Sequence, residues 1–279
     1  MARLQRSCGE ARVTFKKSGD RTALDQLHQS GCCKLRFPRP EPGQPPEAVL
    51  INTAGGLTDG DELSTLAHWR ADTTAVITTQ AAERIYRSRG QAALVRNGLL
   101  VEGGATALWL PQETIMFDGG RMTRRLEAKL DETATLLACE SIVFGRSAMG
   151  ETVASGGVLD TWRIRMGRKL VYADGLRLEG EIRTGLAKPA LGNGAQAVAS
   201  LICVRRNAQD LQEAVRNAIS GMNCTAGCSA LGPVLVTRLL ARTGAELRRD
   251  LAALIEVMLE LLGRDEDGAV KRLPRVWSF

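Results

Sequence analysis

Two stretches decide the fold class of this chain: Leu126-Glu127-Ala128-Lys129-Leu130 and Trp162-Arg163-Ile164-Arg165-Met166. In each, apolar side chains alternate with charged ones. A period of two puts the apolar set on one face of a strand and the charged set on the other. Leu176-Arg177-Leu178-Glu179 repeats the pattern. Outward from these runs, the pairs Asp59-Gly60, Asn97-Gly98, Gly103-Gly104, Asp118-Gly119, Ser155-Gly156 and Asp174-Gly175 read as turn punctuation, because such residues tolerate the positive φ of tight turns. Residues 1–196 therefore read as a mostly β body. Short strands so punctuated imply a sandwich, a barrel or a solenoid. No fixed-length repeat is visible, so a regular solenoid does not follow.

Residues 197–279 read as an α+β portion and tail. Asn207 can cap a helix with Leu211, Ala214, Val215, Ala218 and Ile219 on one face, closed by Gly221. Thr243-Gly244-Ala245-Glu246 is a capping box opening a second helix. Its apolar stripe is Leu247, Leu251, Leu254, Ile255, Met258 and Leu262, and Gly263 ends it. Between the helices, Val234 and Val236 read as strand. The Pro-rich run from Phe37 to Pro46 is an extended connector rather than a domain linker, because strand-like residues flank it closely. Arg264 to Gly268 reads as a polar loop. The whole chain, 1–279, is expected to form one domain.

Composition narrows the function classes. With Lys plus Arg at 37 and Asp plus Glu at 31, the net charge is +6 over 279 residues, and 44% of the chain is hydrophobic. That is the balance of a globular protein, not a disordered one. No apolar run approaches the ~20 residues of a membrane span. The N-terminus carries no apolar signal core, and seven cysteines without a spaced framework fit a reducing compartment. A cytoplasmic location is the expectation. Only two histidines, His28 and His68, are present. A His-rich metal cage is excluded, and a Ser-His-Asp or Cys-His device would have to use one of these two.

The most distinctive motif is Asn52-Thr53-Ala54-Gly55-Gly56-Leu57-Thr58-Asp59-Gly60-Asp61. It lacks the Gly-Lys-Ser/Thr ending of a P-loop and carries two carboxylates, which disfavours a phosphate site. A tight structural turn and a cation-handling or partner-facing acidic loop both fit it. Thr78 to Ser88 starts as a strand and ends polar. In Trp109 to Asp118, Pro111 limits ladder pairing and points to an edge or bulge. Ser147 misses the Gly-x-Ser-x-Gly spacing of a nucleophile elbow by one residue. Neither Cys32-Cys33 nor Cys224/Cys228 has zinc-site spacing, and buried inert thiols are expected. Asp61, Glu83, Glu140, Glu151 and Asp174 each sit beside apolar strand residues. Solvated surface positions and a polar path through the core are both open for them. Arg163, Arg165, Arg168 and Lys169 form the densest basic group, without interleaved aromatics. That is a poor nucleic-acid signature, and a basic face for an acidic protein fits at least as well.

Taken in order, the Thr53–Asp61 turn, Thr78–Ser88, Trp109–Phe117, Gly145–Glu151 and the Leu273–Trp277 ending resemble the UreD (UreH) family of urease accessory proteins. The likeness spans nearly the full chain. The Cys32-Cys33 pair and the Pro-rich run depart from the general family pattern. The resemblance implies a mainly β fold: an irregular β-helix-like or β-sandwich body with a small α+β C-terminal part containing two helices. It also implies a non-enzymatic chaperone for metallocentre assembly, joining UreF and the GTPase UreG on apo-urease and supporting nickel insertion. Nickel would be transient cargo with no tightly bound cofactor, and no nucleic acid or membrane would be bound. The family's internal nickel path maps here, by inference at each residue, onto Asp61, Glu83, Glu140, Glu151 and Asp174. The helix Ala245–Leu262 and the Leu273–Phe279 tail are candidate contacts for UreF. The alternative for the tail is packing on its own core.

Two other readings compete. A metal-dependent hydrolase on a β body would use Asp59, Asp61 and Glu83 as ligands, yet the chain offers no convincing histidine for a general base. A nucleic-acid-binding β protein would show steep salt dependence.

Overall fold

The computed structural model describes residues 6–146, 150–263 and 272–277. Ser147 and the stretch Arg264–Gly268 lie outside the described residues, as do Ser278 and Phe279 of the tail. The architecture is two β-sheets wound face to face by successive turns of the chain, in a solenoid-like manner. An antiparallel pair, β1 (Cys8–Ser18) and β2 (Arg21–Gly31), starts the first sheet. β3 (Cys33–Arg36) and β4 (Glu47–Asn52) start the second. One turn then runs β5 (Glu62–Trp69), β6 (Thr74–Thr79), β7 (Glu83–Ile85), and the next β8 (Ala93–Val101), β9 (Thr106–Leu110), β10 (Thr114–Met116). A third comprises β11 (Arg121–Leu130) and β12 (Thr135–Phe144). β13 (Gly156–Met166) and β14 (Lys169–Gly180) close the first sheet.

The first sheet has seven strands in the order β14-β13-β11-β8-β5-β1-β2, parallel from β13 through to β1 and antiparallel at both edges. β12 is long enough to pair with β9 through its first half and with β10 through its second. β7 and β10 thereby form a narrow third wall. The first-sheet strands begin at Glu62, Ala93, Arg121 and Gly156. Those intervals are unequal, so the winding leaves no fixed-length repeat in the sequence.

After the helix α1 (Ile182–Ala187), β15 (Ala197–Val204) returns antiparallel against β12, and β17 (Val234–Ala241) and β16 (Thr225–Leu231) extend the same sheet. The C-terminal strands thus continue the second sheet rather than forming a unit of their own. The first expected helix is split into a 3-10 turn, Ala208–Leu211, and α2 (Gln212–Ile219), and Asn207 makes no side-chain cap. The second is α3 (Gly244–Gly263). Thr243 Oγ1 accepts the Glu246 N–H at 3.1 Å, as the capping box requires.

β12 is buried along its whole length. Its Leu136, Ala138 and Ile142 join the core between the sheets, while Leu137, Cys139 and Val143 face the second core, under the helices. That second core buries Leu247, Leu251, Leu254, Ile255, Met258 and Leu262 of α3. At ~1.5–3 kcal/mol per fully buried large apolar side chain, this face accounts for the docking of the helix.

Several turn expectations need correction. Asn97-Gly98 lies inside β8 and Asp174-Gly175 inside β14. Gly98 makes room rather than a turn: a Cβ there would stand 3.0 Å from Leu66 Cδ1 on the neighbouring strand. Pro111 is not at a sheet edge. It is buried at the corner between β9 and β10, where the chain changes wall and no ladder hydrogen bond is needed.

Candidate functional site

The sequence alternation that builds β11 and β13 points Met122, Leu126, Ala128 and Leu130, and Val158, Trp162 and Ile164, into the core between the sheets. The same parity carries Arg124 and Asp160 inward. Arg124 is 3% exposed. Its Nε and Nη2 donate to Asp160 Oδ1 at 3.0 Å and Oδ2 at 2.7 Å, a bidentate clasp. Its Nη1 lies 2.5 Å from Glu140 Oε2, across the gap on β12, and also donates to Thr114 Oγ1 at 3.1 Å. Glu140 Oε1 accepts from Trp109 Nε1 at 3.1 Å and Asn97 Nδ2 at 3.5 Å. One guanidinium thus faces two carboxylates, all three side chains buried. Burial drives the Glu140 carboxyl up, to about 7, against the opposing pull of Arg124.

The network connects to the outside through a crevice of about 20 Å³ between β13, β14, β12, β15 and β17, lined by Glu140, Asp160, Trp162, Asp174, Ser200 and Arg238. That is room for roughly one water. Asp174, beside Trp162 in the ladder, is paired with Arg238 and accepts from Tyr172 Oη at 3.1 Å. Two carboxylate–arginine pairs therefore stand one behind the other, one at the mouth and one in the core.

The remaining sequence-derived acids lie elsewhere. Asp61 Oδ1 accepts from the Ser7 N–H and Oδ2 from the Thr58 N–H, both at 2.8 Å. Asp59 takes the Gln91 N–H at 2.6 Å, Ser88 Oγ at 3.0 Å and Arg6 at 3.2 Å. The glycine motif is thus a turn whose carboxylates bond Thr58 within it and tie it to Ser7, Arg6, Ser88 and Gln91 around it. The half-buried Glu83 accepts from Asn52 Nδ2 at 3.2 and 3.1 Å and from the Arg84 N–H at 2.9 Å, and burial raises its pKa. It neighbours the Cys32 and Cys33 thiols, and burial pushes Cys33 up to about 12. Glu151 pairs with Arg146 at 2.7 Å near the surface. The structure therefore brings Glu140 and Asp174 to one crevice and leaves Asp61, Glu83 and Glu151 outside it.

The hydrolase ligand set meets a physical objection, since Asp59, Asp61 and Glu83 each spend their oxygens on hydrogen bonds. Among the described residues, no group of three or more His, Cys, Asp and Glu side chains is arranged to hold a metal ion. No helix among them is long and apolar enough to cross a membrane. Cys224 and Cys228 are free buried thiols, and burial raises both pKa values. His28 is exposed on β2, and His68 Nε2 lies 2.7 Å from Glu102 Oε1.

The C-terminal tail is not a free anchor. Trp277 is 5% exposed, its Nε1 donates to the Leu110 carbonyl at 3.0 Å, and the Arg248 guanidinium stands 5.4 Å from its ring centroid. Leu273–Trp277 therefore packs on its own core, because an indole in the second core satisfies both its apolar area and its N–H. The apolar stripe of α3 is spent in the same core.

The sequence marks Asn97 only as half of a turn pair and Trp109 only as the start of a motif, and it does not single out Arg124 and Asp160. The available signal was a charged residue at an inward position of an alternating strand.

Comparison with known proteins bears on the whole chain. The family profile described as UreD urease accessory protein matches residues 7–278. A urease accessory protein UreD of Chelativorans sp. is 42% identical over 284 aligned positions, covering 100% of this chain and 96% of its own length. Those of Rhodopseudomonas palustris and Agrobacterium fabrum are each 40% identical, over 98% and 99% of this chain and 93% of their own lengths. A match that runs from the first strand through the packed tail makes this chain a member of the UreD urease accessory protein family.

Proposed function

We propose that this chain is a non-catalytic cytoplasmic scaffold for urease maturation, which works with UreF and the GTPase UreG on apo-urease and supports insertion of nickel. Membership in the urease accessory family supports the maturation role. The observation that carries the nickel part is the shared crevice: Asp174 stands at its mouth and Glu140 and Asp160 at its floor. Carboxylates are transient oxygen ligands for a divalent ion, and oxygen ligands alone hold Ni²⁺ weakly enough to release it. Nickel here is cargo. Arg124 and Arg238 act as the resting counter-charges of these acids, so a passing cation exchanges with a guanidinium rather than entering an uncompensated site. Asp61, Glu83 and Glu151 belong to the same reading as outlying positions, each of which must first give up a hydrogen bond or an ion pair.

The test is paired. For Asp174→Ala, Glu140→Gln, Asp61→Asn, Glu83→Gln and Glu151→Gln, pull-down of UreF and UreG is measured beside nickel per urease active site. A path through the crevice predicts normal assembly with lowered nickel for Asp174→Ala and Glu140→Gln. Normal nickel in both, with assembly intact, removes the path from these residues.

A further inference from the structure

The outward face of the seven-stranded sheet is uneven in how its charges are compensated. On one half, Arg12, Arg96 and Arg125 are paired with Glu10, Glu62 and Glu127. On the other, Lys129 of β11 stands beside Arg165 of β13 in the ladder, and Arg163 lies two residues back on the same face. The turn into β14 adds Arg168 and Lys169. All five are exposed, and among the described residues none makes an ion pair or a side-chain hydrogen bond. Two carboxylates border them: Glu127, already held by Arg125, and Glu132, whose Oε1 lies 3.4 Å from where a Cβ on Gly167 would stand.

Ladder neighbours are ~4.8 Å apart and same-face residues two apart ~6.8 Å, within the ~8 Å screening length at physiological salt. Lys129, Arg163 and Arg165 therefore repel one another on this surface, offset at Arg163 by its ladder neighbour Glu127, which Arg125 also holds. Two exposed leucines share this face, one beside the cations and one four residues beyond Arg163. Leu170, 46% exposed, is the ladder partner of Arg165, and Leu159, 40% exposed, shares the face of Arg163.

We propose that this face, Lys129, Arg163, Arg165, Arg168 and Lys169 with Leu159 and Leu170, docks an acidic surface of a partner protein. Charge complementarity sets the sign of that partner. The leucines favour a protein over a nucleic acid, because no aromatic side chain stands among these positions to stack a base. The face is separate from the Glu140–Asp174 crevice, so the proposal holds whether or not nickel passes there.

The probe is a fluorescein-labelled peptide alternating Glu and Leu, so that its carboxylates repeat at the strand spacing, titrated by anisotropy into the full chain. The wild-type chain should bind it, and more weakly as salt rises. Lys129→Gln/Arg163→Gln/Arg165→Gln should weaken binding by about tenfold or more, while Arg12→Gln/Arg96→Gln/Arg125→Gln, on the compensated half, should change it less than about threefold. Arg163→Lys/Arg165→Lys keeps the charge, and wild-type affinity is expected; it reads the proposal even where the triple variant fails to fold. Equal losses in the two triple variants would overturn the proposal. So would absence of binding by the wild-type chain, or tighter binding of duplex DNA of the same net charge.

Discussion

Arg124 and Asp160 are direct ladder partners on the adjacent parallel strands β11 and β13, and their side chains meet through two hydrogen bonds, of 3.0 and 2.7 Å, in the core between the sheets. Parallel in-register pairing puts both on the inward face at the same height, and β12 supplies Glu140 from the opposite sheet. The register of three strands is thus tied to one guanidinium.

Replacing that guanidinium leaves two carboxylates facing each other without a cation. Arg124→Met should destabilise the chain by about 3–5 kcal/mol, the usual cost of breaking a buried pair from one side. Urea unfolding monitored by circular dichroism measures it. A loss below about 1 kcal/mol would mean that water already solvates the cluster.

Glu140 gives stability a specific pH dependence. Burial raises its folded pKa from 4.5 to about 7. Between those values the folded chain keeps a proton that the unfolded chain releases, so this group's contribution is full below 4.5 and is lost as pH rises towards 7. Glu140→Gln removes the titration. The difference in melting temperature between wild type and variant should therefore shift in favour of the variant as pH rises through this window. A difference that stays constant across it would place the Glu140 pKa near its ordinary value.

Trp277 anchors the tail in the second core. Trp277→Ala should cost about 3–5 kcal/mol, as large-to-small changes in cores do. It also frees the Leu110 carbonyl and removes the stacking partner of Arg248. Capture of UreF by the variant, measured at a temperature where it remains folded, should match wild type. Loss of capture by the folded variant would return the tail to the interface.

The alternation of Leu126, Ala128 and Leu130 and of Trp162, Ile164 and Met166 was enough to read β strands and their inward parity, and the stripe of α3 was enough to read its buried face. Extending the two parities backward by one step reaches Arg124 and Asp160, yet a charge at such a position reads as an interruption until the facing Glu140 is known. That third member comes from another sheet, and single-strand periodicity carries no information about which strands face. Asn97-Gly98 and Asp174-Gly175 carry turn chemistry but sit mid-strand, because neighbours require a small residue at Gly98 and an inward carboxylate at Asp174. Adjacency to apolar strand residues marks Asp61 and Glu83 as path residues, and the fold sets both outside the crevice. Their oxygens are spent on the backbone of a turn and on Asn52, contacts that only the folded chain defines.

The central claim is that this chain is required for nickel to reach urease. The direct measurement is nickel per active site, by elemental analysis, in urease purified from cells with and without this gene at equal urease expression. The account predicts intact but nickel-poor, inactive urease in the cells lacking it, restored when the gene is returned. Urease of normal nickel content and activity from cells lacking it would contradict the account.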